Sequence, residues 1–473
     1  MLRFTGGQRA AWVTATGAAA ALLVTGCTGS TPTTETPAPT ANVTVWDWNA
    51  GEDYYKKAFG DLNTSQSAVK VNYQFQQGTT FGTTVQAAFQ SGSAPDVFMG
   101  YFDTIPNLIA KDYVQPIGDP ADPEVAAWMK TFPDGSFKEN VHIFNGKVYS
   151  FPFNPQSTIY LYYNKKVLAE AGITTPPATW GQLRAQAKQV TDASGKKAYG
   201  MVTGGKDVWP WFLDVSYLAA TAGACNAGVG GSLPMAFDYA TGTYNPDNPA
   251  TRAALQLWLD MKSDGSVLPG IDSLTDADAH AAFGNNKAAF MFSGSWTPSV
   301  LGSVAPNADF GVAAVPVPDT GRKGYDLVAT GSSWVISSKT ANKKAAFDVI
   351  KAMTTLQFQQ GYVASGAGLS VFPAANTSDF LKGKGMLDVY NVAQQTTKPA
   401  PVLTPDAGKV GPKLSDPNYT AVIQSIWTGK TTIEAGLADL ETRMNKELSA
   451  AVTAAGVSPD ILKASTAGSC GSY

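Results

Sequence analysis

The sequence predicts an α/β protein built from more than one structural unit. Short β-rich runs alternate with helical runs from Asn42 onward, and strands that alternate with helices imply a parallel sheet covered on both faces. The length of 473 residues exceeds one ordinary core, so two or three domains are expected.

The elements can be justified in order. Val43-Thr44-Val45-Trp46 is a short β-rich run, and Tyr55, Phe59 and Leu62 then recur at helical spacing. Val69 to Phe75 reads as a second strand, Val85 to Phe89 as a helix, and Ala94 to Met99 as a third strand. In open sheets ligands sit beyond the carboxyl ends of the strands, which directs attention to Asp47–Glu52, Gln76–Phe81 and Gly100–Asp103. Thr179-Trp180-Gly181-Gln182 has the form of a capping box, opening a helix with Leu183, Ala187 and Val190 on one face. Ala346, Val349, Ile350 and Met353 mark another amphipathic helix. Ile433, Leu437, Leu440, Met444 and Leu448 mark a long one near the end.

Composition excludes several functions. Charged residues make up 15% of the chain and the net charge is −3, which offers no field for a nucleic acid. With His142 and His280 as its two histidines, the chain cannot build a multi-histidine metal site, and histidine base chemistry is disfavoured. Thr428-Gly429-Lys430-Thr431 looks like the end of a phosphate loop, but Gln424 stands where that loop needs its first glycine. Neither a Gly-x-Ser-x-Gly elbow nor a complete Gly-x-Gly-x-x-Gly occurs. Tyr162-Tyr163 has two readings: paired tyrosines can ligate ferric iron, and they also pack at strand ends.

The first segment reads as targeting. Arg3 and Arg9 precede an apolar run from Ala10 to Val24, followed by Thr25-Gly26-Cys27. Leu23 to Cys27 resembles the lipobox of bacterial lipoproteins, which implies cleavage after residue 26 and lipidation, palmitate included, at Cys27. A plain signal peptide with an incidental cysteine is the alternative. Residues 27–41 are almost entirely Thr, Pro, Ser, Gly and Ala, a composition that stays an extended tether. The expected location is the extracytoplasmic face of the cell membrane, held there by lipid. Cys225 and Cys470 remain, either as a disulfide in an oxidising compartment or as two buried thiols.

Six markers then occur in one order along the chain. They are Val43–Trp46; Ala94-Pro95-Asp96-Val97; Val148–Phe153 followed by Leu161–Lys165; Pro177-Ala178-Thr179-Trp180; Asn286–Met291 with Gly294-Ser295-Trp296; and Gly331–Ile336. Together they resemble the extracellular solute-binding lipoproteins of ABC importers, in the carbohydrate-binding group that includes maltose-binding protein. The resemblance implies a two-lobed α/β fold, each lobe a mostly parallel sheet covered by helices, with the ligand in the cleft between them. Lobe one is expected to hold 42–153 and 332–376, and lobe two 154–331 and 377–473. The implied protein is a monomeric binding protein that captures a sugar by closing over it and delivers it to a membrane permease. It is implied to be no enzyme and to carry no cofactor or metal.

Sugars present apolar C–H faces and a rim of hydroxyls, so their sites combine aromatic platforms with amides and carboxylates. Trp296, in the turn that resembles the family's Gly-Ser-Trp signature, is the first candidate platform. Trp209, before Pro210, resembles a Trp-Pro step lining the same cleft. Asp103 follows Asp96 at a spacing similar to that of a sugar-binding aspartate in the family. Trp46, Asp47 and Trp48 end the first strand, where the sequence departs from the family pattern. Strand alternation is expected to send one of these tryptophans to the cleft and the other to the core. Gln77 and Thr80 follow the second strand, and Asn154, Gln156 and Ser157 sit at the first crossing. Gly331 and Ser332 offer backbone N–H groups at the return crossing. The same fold with a polyamine, iron or other small solute is the second reading. A secreted glycosidase with two carboxylates about 5–10 Å apart is the third.

Overall fold

The computed structural model describes residues 41–48, 51–101, 104–154, 159–224, 236–324, 326–328, 332–381, 385–399 and 405–463. The chain divides into two compact units, 1–39 and 40–473, and the first lies outside the described residues. The expected signal, the expected tether as far as residue 40, with Cys27, and the pair Cys225 and Cys470 lie outside them as well, whereas Ala41, expected as the tether's last residue, begins β1.

Two parallel crossovers open the folded body. β1 (Ala41–Asp47), α1 (Glu52–Ser65), β2 (Val69–Phe75), α2 (Phe81–Ser91) and β3 (Val97–Tyr101) follow one another. Tyr55 and Phe59 of α1 are buried, as are Val85, Ala88 and Phe89 of α2. Next come α3 (Ile105–Ala110), β4 (Val114–Gln115) and α4 (Pro123–Met129), the last capped by Asp122, which accepts from the N–H groups of Glu124 and Val125. A hairpin of β5 (Ile143–Phe144) and β6 (Lys147–Val148) precedes the passage to the second sheet.

That second body holds β7 (Ile159–Asn164), α5 (Lys165–Glu170), α6 (Trp180–Ala193), β8 (Tyr199–Met201) and α7 (Val208–Thr221). A small hairpin, β9 (Phe237–Asp238) and β10 (Thr243–Tyr244), follows. It leads to α8 (Pro249–Ser263), α9 (Asp276–Gly284), β11 (Ala288–Gly294), α10 (Thr297–Val304) and β12 (Phe310–Ala313). β13 (Asp326–Val328) precedes β14 (Ser332–Ser337), which returns to the first sheet, and α11 (Lys343–Met353), α12 (Leu356–Ala364) and α13 (Ser378–Leu381) come after it. α14 (Met386–Thr396), β15 (Thr397–Pro399), α15 (Tyr419–Trp427) and α16 (Ile433–Ala455) complete the described chain.

The first sheet has the order β2-β1-β3-β14-β4 and the second β12-β7-β11-β8. Both are mixed, which corrects the mostly parallel expectation. β1 pairs in parallel with β2 and β3, whereas β14 runs antiparallel to β3 and β4. β7 is antiparallel to both β11 and β12, and only β8 pairs in parallel with β11. The reason is topological: β14 and β7 enter their sheets from the connecting passages, not through a right-handed crossover of their own sheet.

Local chemistry follows the expected pattern with one change. Thr179 Oγ1 accepts from the Gln182 N–H, but Gln182 Oε1 accepts from Ala178 N–H, one residue before the position a capping box uses. The helical face of Leu183, Ala187 and Val190 is buried, as are the faces of α11 and α16. Gly429 (φ 76°) ends α15, and the Lys430 N–H bonds the Ser425 carbonyl. That segment is therefore a helix stop, as the missing glycine at position 424 suggests.

The connecting passages bond to each other. Ser333 Oγ donates to the Phe151 carbonyl (2.6 Å) and accepts from the Phe151 N–H (2.9 Å). Asn154 Oδ1 accepts from the Ser332 N–H (3.1 Å) and hydroxyl (3.3 Å), and its Nδ2 reaches the Tyr362 hydroxyl (3.4 Å). Phe153, Trp334 and Tyr362 pack edge to face beneath them, with Phe153 5.2 Å from Tyr362 and 6.0 Å from Trp334. A later segment, Pro405–Lys409, lies against α3, where a Cβ on Gly408 would stand 2.0 Å from Pro106 Cβ.

Two outcomes are expected. Ser333→Ala leaves the buried Phe151 N–H and C=O without that hydroxyl and should cost about 1–3 kcal/mol in urea unfolding. His142 is buried, and burial, aided by the Lys138 charge, lowers its pKa to about 3 from 6.5. The unfolded chain therefore takes up a proton below pH 6.5 that the fold refuses, so stability falls as pH drops from 6.5 toward 3. His142→Asn should flatten that slope between about pH 7 and about pH 5, measured by urea midpoints.

Candidate ligand-binding site

The carboxyl ends of β1, β2 and β3 meet the amino end of β14 along one edge of the first sheet. Asp47 pairs with Phe75, Trp46 with Phe98, and Tyr101 with Ser332. Trp46 and Trp48 stand here, both half-buried. Both pack against the apolar cluster that includes Phe81, Val85 and Phe98, Trp48 from just beyond the end of β1. This corrects the expectation that alternation would separate them. Trp48 packs on Phe81, ring centroids 4.4 Å apart, and a Cβ on Gly78 would come within 3.3 Å of its ring.

Asp47 points to the face of β1 opposite Trp46. It is fully buried and accepts the Tyr73 hydroxyl at 2.9 Å. Burial first, and then the Asp47 charge, push the Tyr73 hydroxyl well above its ordinary range. Gln77 and Thr80 are exposed around the turn Gly78–Thr80 that leads into α2. The Thr80 carbonyl accepts the hydroxyls of Thr83 and Thr84.

At the crossing, Asn154 and Ser332 are brought together as bonded partners. The Ser332 N–H, expected as a donor to ligand, is spent on Asn154 Oδ1. Both residues are buried. Asp103, Gln156, Ser157 and Gly331 lie outside the described residues.

Along the corresponding edge of the second sheet, the amino end of β7 meets the carboxyl ends of β11, β12 and β8. Ile159 pairs with Gly294 and Leu161 with Ala313, while Met201 pairs with Phe290. A few residues separate Asn154 from Ile159, so the two edges flank one short connection. Trp296 follows β11 at this edge, half-buried at the start of α10. Its ring lies on its own turn: a Cβ on Gly294 would stand 2.0 Å from Cζ3, so only glycine fits there. Trp209 lies in the first turn of α7, and its backbone alone is described.

The other described tryptophans are engaged elsewhere. Trp128, Trp211, Trp258, Trp334 and Trp427 are buried in the core. Trp180 donates its indole N–H to the Pro316 carbonyl. Tyr162 is fully buried and donates to the Gly294 carbonyl (2.8 Å), which is the packing role. Among the described residues no group of three or more His, Cys, Asp or Glu is placed to hold a metal ion.

Such an arrangement offers flat aromatic faces with neutral amide and hydroxyl groups, and the carboxylate of Asp47 is turned inward. The model of the family described as bacterial extracellular solute-binding protein matches residues 46–360. The chain belongs to this family.

Curated relatives include a putative binding protein of Brucella abortus, 26% identical over 338 residues, covering 69% of this chain and 74% of the relative. The multiple sugar-binding protein of Streptococcus mutans is 28% identical over 225 residues, covering 47% and 51%. The sn-glycerol-3-phosphate-binding periplasmic protein of Yersinia pseudotuberculosis is 23% identical over 375 residues, covering 74% and 79%. Among solved structures, the maltose/maltodextrin-binding domain of Bdellovibrio bacteriovorus bound to maltotriose superposes with a TM-score of 0.67 at 20% identity. It covers 86% of this chain and 100% of that one. The GacH receptor of Streptomyces glaucescens gives 0.66 at 20% identity, with 87% and 99% covered. This solute-binding protein therefore has the two-lobed α/β fold of those structures.

Gly294→Ala should drive the Trp296 ring off its seat. The expected result is a changed near-UV circular dichroism band and a loss of about 1–3 kcal/mol in thermal unfolding.

Proposed function

We propose that this protein captures a carbohydrate in the cleft between its two lobes and delivers it to an ABC permease. The observation that carries this reading is the half-burial of three tryptophans, Trp46 and Trp48 at one sheet edge and Trp296 at the other. Aromatic faces stack on the C–H faces of sugar rings, and the amide of Gln77 and the hydroxyl of Thr80 are exposed beside them for the hydroxyl rim. Relatives whose names and titles state sugar ligands support the same class.

Lobe one comprises 42–153 and 332–376 in this reading, and lobe two 154–331 and 377–473. A ligand touching both favours the closed arrangement by its differential affinity for it. No described helix is long and apolar enough to cross a membrane. In keeping with the lipobox-like Leu23–Cys27, we place the protein at the extracytoplasmic face of the membrane, as a monomer lipidated at Cys27.

The test is thermal unfolding against mono- and oligosaccharides, with sn-glycerol 3-phosphate, polyamines and ferric citrate included. A ligand at a thousand times its Kd stabilises by about 4 kcal/mol, so a sugar partner should raise the midpoint, and Trp296→Ala should abolish the rise. A response confined to the phosphate, the polyamines or iron would overturn the carbohydrate reading.

A further inference from the structure

Behind Trp296 runs a buried chain of polar groups centred on His280, which is fully buried on α9. His280 Nδ1 lies 2.8 Å from the Asp276 carbonyl and 3.5 Å from Asp276 Oδ1. A carbonyl can only accept, so Nδ1 carries a proton, and in the neutral ring Nε2 is then the acceptor. Ser293 Oγ stands 3.2 Å from Nε2 and Thr297 Oγ1 3.4 Å. Thr297 donates to Ser293 across 2.6 Å. Each hydrogen then has an acceptor: Thr297 gives to Ser293, Ser293 to Nε2, and Nδ1 to the Asp276 carbonyl.

Those partners bracket the ligand platform. Ser293 lies in β11 and Thr297 opens α10, with Trp296 between them. On the other side, the Asp276 N–H donates to Asp207 Oδ2 at 2.7 Å. Asp207 directly precedes α7, whose first turn includes Trp209. In the same loop a Cβ on Gly204 would stand 2.6 Å from the Asp276 backbone, so the two segments are in direct contact.

We propose that His280 is a positioning residue for the ligand site. Through Ser293 and Thr297 it holds the turn that carries Trp296, and through Asp276 and Asp207 it sets the distance of that turn from the start of α7. This role rests on the reading of Trp296 as a ligand platform. A histidine that merely fills the core would act through stability alone, and the two roles separate by experiment.

The full-length protein is compared with His280→Asn, His280→Gln, Thr297→Val and Trp296→Phe. Asn keeps a donor where Nδ1 stands and loses the Nε2 end, whereas the Gln amide reaches the Nε2 end. Thr297→Val removes one hydroxyl at constant shape. Three quantities are read: the thermal midpoint, the near-UV dichroism assigned to Trp296 by its loss in Trp296→Phe, and Kd for the sugar that shifts the midpoint. His280→Asn and Thr297→Val should diminish the Trp296 band and weaken binding about tenfold, while His280→Gln preserves both. The proposal is overturned if Asn and Gln lose affinity alike in step with their midpoints. An unchanged Trp296 band in both His280→Asn and Thr297→Val overturns it as well. If Trp296→Phe binds as tightly as the parent, the platform reading fails and the ligand role of His280 with it. The dichroism still reports, without ligand, whether His280 holds the turn.

Discussion

The hydroxyl of Ser333 joins two passages of chain that are remote in sequence. It donates to one end of the Phe151 peptide group and accepts from the other end of the same residue. Beside it, Asn154 holds Ser332. A buried peptide N–H or C=O left without a partner costs more than one hydrogen bond contributes, so these contacts oblige the outgoing and returning chain to run side by side. Everything at the site inherits its position from that obligation. The first sheet ends at Ser332, the second begins at Ile159, and both edges with their tryptophans are registered from this junction.

At the junction the buried polar groups are engaged within the protein. Asn154 and Ser332 satisfy each other, and Asp47 is held by Tyr73. In the proposed reading a solute meets the half-buried tryptophans and the exposed turn at Gln77 and Thr80. Recognition of that kind reads shape and C–H surface first and hydroxyl pattern second. In the second body, rigidity comes from close approach: the Trp296 ring on Gly294, and α6 held to α8 where Arg184 bonds Asp260 and Asp264, each at 2.6 Å.

Much of the fold was legible because its signals are local. The periodicities of Val69–Phe75, of Leu183, Ala187 and Val190, and of Ile433 to Leu448 correspond to elements in the structure. Strand direction was not legible, since it depends on where β7 and β14 dock after long excursions. The common packing of Trp46 and Trp48 was not legible, because the cluster they meet includes Phe81, Val85 and Phe98 of later elements. Nor was the inward turn of Asp47, because its partner Tyr73 belongs to a neighbouring strand. The setting of the two histidines was not legible. Their surroundings are assembled from elements far apart in sequence: α9, β11 and α10 around His280.

Asn154 and Ile159, and again Val328 and Ser332, stand on either side of short connections, and Gly385 lies close against the Phe310 ring. After β15 the chain leans back on α3 at Gly408. A door hung on several pins set close together swings freely about the line through them and resists both twisting and lifting. For the closure proposed above, passages bonded side by side at Ser333 and Asn154 would leave one easy axis of rotation, and the same aromatic surfaces would meet at each closing.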